Sequence, residues 1–167
     1  TIECNYIGVN QAGTTMVPNV NFGIASNGAT DAIVRNNLVV HSILFNNSNG
    51  VTISNNIQNI QEDGSAVIAD AVQGMGCNVD CTNMTIRNNL GTNGSYHITG
   101  TPTGSGSHLI EGNFRGVDST GMVGVGEDQP FGRSIDISSD PTTVRNNVLN
   151  TMGDGIYVSN STEHTIA

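Results

Sequence analysis

The sequence has no lysine and no tryptophan, and aromatic residues make up only 4% of it. Its hydrophobic fraction of 36% is low for a 167-residue chain that has to fill one bulky core. A core that stacks small aliphatic side chains in columns needs fewer large residues. The composition therefore disfavours an ordinary globule and is compatible with a stacked repeat.

Long hydrophobic runs and helical periodicity are also missing. No stretch approaches the roughly 18 apolar residues of a membrane span, and the chain does not begin with a basic and then apolar signal pattern. Clusters of Gly, Pro and Asn interrupt every window that has helical spacing. We therefore expect no membrane span and essentially no helix. Because Thr1 opens directly into a strand motif, we expect a processed mature form or a piece of a longer chain.

Positive charge is scarce, since five arginines stand against fourteen acidic residues and give a formal net charge of −9. A surface of this sign repels phosphate backbones, so nucleic acid is not an expected partner. Such a surface keeps an exposed protein soluble and could recruit divalent cations such as calcium. No residue pattern supports a calcium site, and we predict no cofactor and no metal site.

Cysteine is limited to three residues. Cys77 and Cys81 bracket a short loop, CNVDC, and could close a small disulfide in an oxidising compartment. No second pair and no nearby histidine completes a set of four zinc ligands. Cys4 stands in a repeat position that holds Asn or Gly elsewhere, and we expect it to be a buried free thiol.

The chain is dominated by a five-residue motif: an aliphatic residue, any residue, a small or amide residue, Asn, and an apolar residue. Intervals of 32, 19, 33, 24 and 34 residues separate its asparagines and alternate between long and short, which indicates a solenoid. A seventh copy begins at Thr165. The motif asparagines are Asn5, Asn37, Asn56, Asn89, Asn113 and Asn147.

Short alternating segments precede the motif copies, and their second and fourth residues are expected to point inward. Because both columns are built from β-branched and turn residues, the sequence predicts an all-β, right-handed parallel β-helix with essentially no helix. We expect about six coils of alternating long and short length in one domain, 1–167, uncapped at both ends. The upstream segments are GIAS at 23–26, SILF at 42–45, AVIA at 66–69, SYHI at 95–98, SIDI at 134–137 and GIYV at 155–158.

Coils stacked about 4.8 Å apart place like residues above one another. The motif asparagines should then form a ladder of side-chain amides, which is a scaffold role. On the outer surface, Glu3 should lie beside Arg35, and Glu111 between Arg87 and Arg145, in ion pairs that fix the register. The extra residues of the long coils should form loops at 7–22, 70–82 and 117–132 on one side, a common binding face of repeat proteins.

The first coil, NYIGVNQAGTTMVPNVNFGI, resembles a recurrent segment of right-handed parallel β-helix repeat proteins from large secreted and cell-surface bacterial or archaeal polypeptides. This resemblance implies the fold and an extracellular or cell-surface setting. It does not imply one activity, because the fold hosts lyases, hydrolases, adhesins and fibres. The NTD, DD, GHG and RIK segments of pectin hydrolases are absent, as is any lysine base of a calcium-dependent lyase.

One group of outward residues could carry chemistry. His97, Asp136 and Tyr157 are expected to be neighbours on one face, with Arg133 and Asp154 close by. Asp136 and Asp154 are then candidates for a carboxylate pair acting on a sugar. The alternative is that outward positions are polar by default. The full outward series is expected to be Ala25, Leu44, Ile68, His97, Asp136 and Tyr157.

Two further sets of polar residues are assigned to the surface. Four asparagines fit the glycosylation acceptor pattern, namely Asn46, Asn83, Asn93 and Asn160. His41, His108 and His164 are dispersed along the chain and are expected to be exposed, with His108 and His164 too far apart to share an ion.

Together these patterns predict an extracellular structural module. Both ends fall inside a motif, so the module is expected to stack end to end on copies of itself or on adjoining repeats, as a surface fibre or adhesin stalk. The alternative is a polysaccharide-active lyase or hydrolase, or a glycan-binding module, that uses the face with the long loops.

Overall fold

The computed structural model of the chain describes residues 1–17, 19, 21–62, 74–100, 106–125, 132–138, 141–159 and 163–167. In these residues the chain is all-β, with three parallel sheets whose strands stack in sequence order. Each coil gives one strand to each sheet, and a last strand adds a seventh to the first sheet. The predicted parallel β-helix of about six coils is therefore confirmed.

The strands are short and recur in the same order in every coil. The first sheet contains Ile2–Glu3, Ile33–Arg35, Thr52–Ser54, Thr85–Arg87, His108–Glu111, Thr142–Arg145 and Thr165–Ile166. The second sheet contains Tyr6–Ile7, Leu38–Val39, Ile57–Gln58, Leu90–Gly91, Phe114–Arg115 and Val148–Leu149. The third sheet contains Ile24–Asn27, Ile43–Asn46, Met75–Val79, Tyr96–Ile98, Arg133–Ile137 and Asp154–Val158.

The five-residue motif forms a corner between two sheets instead of a single strand. Its third residue has a positive φ in all six copies, from 54° at Asn55 to 64° at Gly112. Asn and Gly tolerate this left-handed conformation better than other residues, which explains why they occupy the position. The turn starts the second sheet at the fifth motif residue, a sheet that the sequence pattern did not separate from the first.

Cys4 occupies the same left-handed corner position, with a φ of 59°. Side chains at this position face solvent, and Cys4 is an exposed free thiol. The prediction of a buried thiol is therefore wrong, because it treated the corner residue as part of a strand with an inward side.

The asparagine ladder is confirmed along the whole stack. From the second coil onward, the side-chain oxygen of the motif Asn accepts both the backbone N–H and the side-chain N–H of the Asn in the preceding coil. For Asn89, these bonds from Asn56 measure 2.9 and 3.1 Å. Asn89 in turn donates its side-chain N–H to Asn113 over 3.0 Å. Each central amide is thus buried but fully hydrogen-bonded, which removes most of the cost of its burial.

The core consists of aliphatic columns inside the three sheets. Tyr96 is the largest aromatic side chain in it, and its hydroxyl donates to the carbonyls of Asn89 and Phe114. Each buried aliphatic side chain contributes about 1.5 to 3 kcal/mol. The core residues are Ile24, Val34, Val39, Ile43, Phe45, Val51, Ile53, Met75, Cys77, Cys81, Met84, Ile86, Tyr96, Ile98, Ile110, Ile135, Ile137 and Val144.

Charged side chains line the outer face of the first sheet. Glu3 pairs with Arg35, and Glu111 pairs with Arg145, as predicted. Arg87 lies in register with Glu111, but among the described residues it forms no ion pair. Because the paired side chains are exposed, each pair contributes only about 0 to 1 kcal/mol.

Between the second-sheet and third-sheet strands, the connections alternate in length. The strand ends are separated by positions 8–23, 59–74 and 116–132 in the first, third and fifth coils, and by positions 40–42, 92–95 and 150–153 in the others. The predicted loop at 70–82 is misplaced, because Met75–Val79 is the third-sheet strand of its coil. Gly76 therefore takes the stack position assigned to Ile68, which lies outside the described residues.

The loop of the first coil fits the alternation of long and short coils. It folds back on itself through an antiparallel bridge between Val9 and Met16 and lies over the second sheet. A Cβ on Gly13 would lie 2.8 Å from the side chain of Leu38 in the next coil and 3.2 Å from that of Tyr6 in its own. This folded loop therefore lies over two coils, about 10 Å of stack, which agrees with the short connection in the second coil. The loop of the fifth coil repeats this arrangement around Gly121.

Candidate functional site

A groove of about 500 Å³ lies on the outer face of the third sheet. It extends from Phe22, at the end of the first long loop, to Asp136 in the fifth coil. Five coils span about 19 Å at the stacking distance of parallel strands. The groove is therefore long enough for an extended ligand, and the face with the long loops borders it.

The outward column of the third sheet lacks a side chain in the third coil. In this column, Leu44 pairs with Gly76, and Gly76 pairs with His97. A Cβ on Gly76 would lie 1.7 Å from the carbonyl oxygen of His97, so no larger residue fits there. Leu44 and His97, on either side of this glycine, both line the groove.

A charged cluster occupies the end of the groove in the fifth and sixth coils. The guanidinium of Arg133 donates to Asp136 over 2.8 Å and lies 3.9 Å from the carboxylate of Asp154. It also stacks on the ring of Tyr157, 3.4 Å from the centroid. The Asp136 hydrogen bond raises the pKa of Arg133 above its ordinary value.

His97 forms the floor of the groove beside this cluster and lies in register with Asp136. It is only 8% exposed, and its Nε2 is buried without a hydrogen-bond partner. Its Nδ1 lies 3.3 Å from the carbonyl oxygen of Ser95. Burial lowers the pKa of His97, against the opposing influence of the Ser95 carbonyl and of Asp136. The imidazole is therefore neutral at physiological pH.

The structure thus brings His97, Asp136, Asp154 and Tyr157 together on one face, in the predicted order. Arg133 contacts both aspartates. The two carboxylates of a glycoside hydrolase instead flank a scissile bond and leave space between them for a sugar or a water molecule. The arrangement is better suited to holding a ligand through hydrogen bonds than to acid–base chemistry.

Sequence reasoning missed the other end of the groove. Phe22 is 46% exposed and lines the groove, together with Leu44, Asn78 and Thr99. An exposed aromatic ring next to hydrogen-bonding side chains is typical of a ligand site. The available signal was the position of Phe22, directly before the GI of the first third-sheet segment.

The four asparagines that fit the glycosylation acceptor pattern differ in solvent exposure. Asn83 is exposed, Asn46 is half-buried, and Asn93 is only 5% exposed. A buried amide such as that of Asn93 is unavailable for glycosylation in the folded chain. Asn160 lies outside the described residues.

The cysteines and histidines have structural positions. Cys77 and Cys81 form a disulfide inside the core. His108 is buried and its Nδ1 accepts the backbone N–H of Met84. The predicted surface position of His108 is therefore wrong, because it alternates inward at the start of a first-sheet strand. His164 accepts the backbone N–H of Thr142 in the same way and is half-buried.

Another groove, of about 390 Å³, lies at the corner between the first and second sheets. It contains the exposed Cys4 and the ring of Tyr6, whose hydroxyl donates to Glu62 over 2.9 Å. This hydrogen bond raises the pKa of Tyr6. The sequence pattern gave no sign of this contact, since 56 residues separate the two side chains.

In the described parts of the chain, no three His, Cys, Asp or Glu side chains are grouped closely enough to hold a metal ion. Nor do those parts contain a helix that is long and apolar enough to cross a membrane. No protein-family model, curated protein or solved structure significantly matches the chain. Function is therefore inferred from residues and geometry.

Proposed function

We propose that this chain is an extracellular β-solenoid module that binds a glycan in the groove of the third sheet. The groove itself carries the proposal, because it combines an exposed aromatic ring with a cluster of hydrogen-bonding side chains. Its roughly 19 Å length suits an extended polymer better than a compact metabolite.

The character of the lining supports binding to hydroxyl groups. Arg133 and Asp136 offer a donor and an acceptor side by side, and Asn78 offers both in one amide. At the other end, the ring of Phe22 offers an apolar surface against which the C–H face of a sugar can pack. A rigid stack of coils holds these groups at fixed spacings, so little ordering is needed on binding.

Two features support an extracellular location. The Cys77–Cys81 disulfide persists in oxidising compartments and is rare in the cytosol. The net charge of −9 suits an exposed, soluble surface.

Affinity electrophoresis through gels that contain polysaccharides tests the proposal. The wild-type chain should be retarded, whereas Asn78→Trp should migrate freely because an indole placed at this exposed lining position fills the groove. Arg87→Trp, on the outer face of the first sheet, is the matched control and should be retarded like the wild type. Equal retardation of both variants would refute the groove as the site.

The polysaccharides that retard the chain can also be used to distinguish binding from catalysis. Release of reducing ends from a retained polysaccharide would favour a lyase or hydrolase, and Asp136→Ala should then abolish it. Binding without product release supports the module proposed here.

A structural role is a second candidate, and the exposed strand edges favour it. Ile2–Glu3 and Thr165–Ile166 each pair on one side only, and both isoleucines are exposed. Such edges can pair with further repeats or with a second copy, which would build a surface fibre. Electron microscopy should then show filaments with a rise of about 30 Å, and Ile166→Lys should abolish them. Monomers at all concentrations in sedimentation would contradict self-stacking.

A further inference from the structure

In the part of the chain that the structure describes, carboxylates already surround the exposed arginine of the groove. Arg133 and Asp136 line the groove, and Asp154 lies beside Arg133. Arg115 also lines it but is only 1% exposed, so it presents little charge to a ligand. The chain as a whole has a net charge of −9. An acidic ligand would be repelled by the protein as a whole and would gain no net attraction at the groove.

The exposed cation of the groove is already engaged. The guanidinium of Arg133 is paired with Asp136, lies near Asp154 and is covered on one face by Tyr157. A ligand carboxylate would share this guanidinium with two aspartates, and the repulsion between the three carboxylates would offset its attraction to the arginine. Arg133 can therefore donate hydrogen bonds to a neutral ligand but offers little net attraction to an anionic one.

The remaining surface of the Arg133–Asp136 pair can hold a ligand that both donates and accepts. The two side chains are 38% and 20% exposed, so neither is sealed off by their ion pair. Two adjacent hydroxyl groups of a sugar match a neighbouring donor and acceptor, because one hydroxyl can accept from Arg133 while the other donates to Asp136. Beneath them, the buried His97 has an unpartnered Nε2, a further polar group at this end of the groove.

Resting on the proposed glycan-binding function, we infer that the groove selects uncharged oligosaccharides over uronic-acid oligosaccharides. The Arg133–Asp136 pair binds the hydroxyl groups of one sugar, and Phe22 packs against another sugar about four coils away. Selectivity arises because the aspartates already occupy the cation that an acidic sugar would need.

An array of uncharged and uronic-acid oligosaccharides tests this inference with three variants. Asp136→Asn removes the charge of one acceptor but keeps its shape, and should weaken binding by about tenfold. Phe22→Ala should also weaken binding, because it removes the apolar platform. Glu111→Gln is the matched control, since Glu111 is likewise a carboxylate paired with an arginine, but on the first sheet. It should bind like the wild type. Matching melting temperatures establish that all variants are folded.

The inference predicts that uncharged glycans are retained and that their affinity barely changes between about 50 and about 500 mM salt, because no net charge is exchanged. Retention of uronic-acid glycans by the wild-type chain as strongly as uncharged ones would overturn the selectivity while leaving glycan binding in place. Absence of binding to every glycan would overturn both the inference and the proposed function. Binding that Glu111→Gln weakens as much as Asp136→Asn would place the site outside the groove.

Discussion

Replacing Asn89 by alanine tests the role of the amide ladder in holding the coils together. Asn89 is fully buried, and its side chain takes part in four hydrogen bonds. Alanine leaves the backbone N–H of Asn56 without its acceptor, since that group donates to the Asn89 side chain. An unsatisfied buried donor costs about 1 to 3 kcal/mol, and loss of the remaining bonds and the small cavity should bring the total to about 3 kcal/mol.

Asn5→Ala is the matched control at the exposed end of the same ladder. Asn5 donates to Asn37 but accepts from no other ladder residue in the described chain. Because Asn37 keeps the backbone N–H of Asn5 as a donor, the cost should stay below about 1 kcal/mol. Urea unfolding followed by far-ultraviolet circular dichroism measures both variants, compared by transition midpoint because repeat proteins can unfold in steps. Equal destabilisation by the two substitutions would refute the view that burial determines how much a ladder amide contributes to stability.

Three other perturbations have distinct expected outcomes. Gly13→Ala should destabilise the chain by about 1 to 3 kcal/mol more than Gly28→Ala. Both glycines have positive φ, but only a Cβ on Gly13 would meet neighbouring side chains. Equal melting temperatures of the two variants would contradict the packing of the first loop against the second sheet. Reduction of the Cys77–Cys81 disulfide should lower the free energy of unfolding by about 2 kcal/mol, since this disulfide closes only a short loop. A variant with both cysteines replaced by alanine should be insensitive to reductant. The lowered pKa of His97 means that the unfolded chain binds its proton more readily, so stability should fall as the pH drops below about 6.5. His97→Gln should flatten that part of the pH profile, and an unchanged slope would assign it to other groups.

The fold was predictable because its signals are periodic. The motif asparagines and their aliphatic partners recur at intervals that only a stack of coils can align, and the structure joins Asn5 to Asn147 in one continuous ladder. The ion pair of Glu3 with Arg35 followed from the same register. Periodic features of this kind depend on the repeat and not on details of a single coil.

Features that depend on one coil escaped prediction. The left-handed turn at Cys4 separates two sheets within five residues, which strand alternation cannot reveal. Gly76 replaced Ile68 in the outward column because the third-sheet strand of the third coil is Met75–Val79. The alternation pattern fitted both segments and could not decide between them.

The sequence predicted one end of the candidate site and missed the other. His97, Asp136 and Tyr157 were placed correctly because they occupy the same column in successive coils. The exposed ring of Phe22 and the glycine at position 76 were not foreseen, since neither belongs to the repeat pattern. A repeat pattern describes the scaffold well and the features of a single coil poorly.

The central claim is that the groove of the third sheet is the ligand site, and a nuclear magnetic resonance titration of the labelled chain with an uncharged hexasaccharide tests it most directly. The backbone amide signals of Leu44, His97 and Asp136 should shift on titration, while those of Arg35 and Arg145 on the first sheet stay in place. Shifts confined to the first sheet, or no shifts up to millimolar ligand, would contradict the claim.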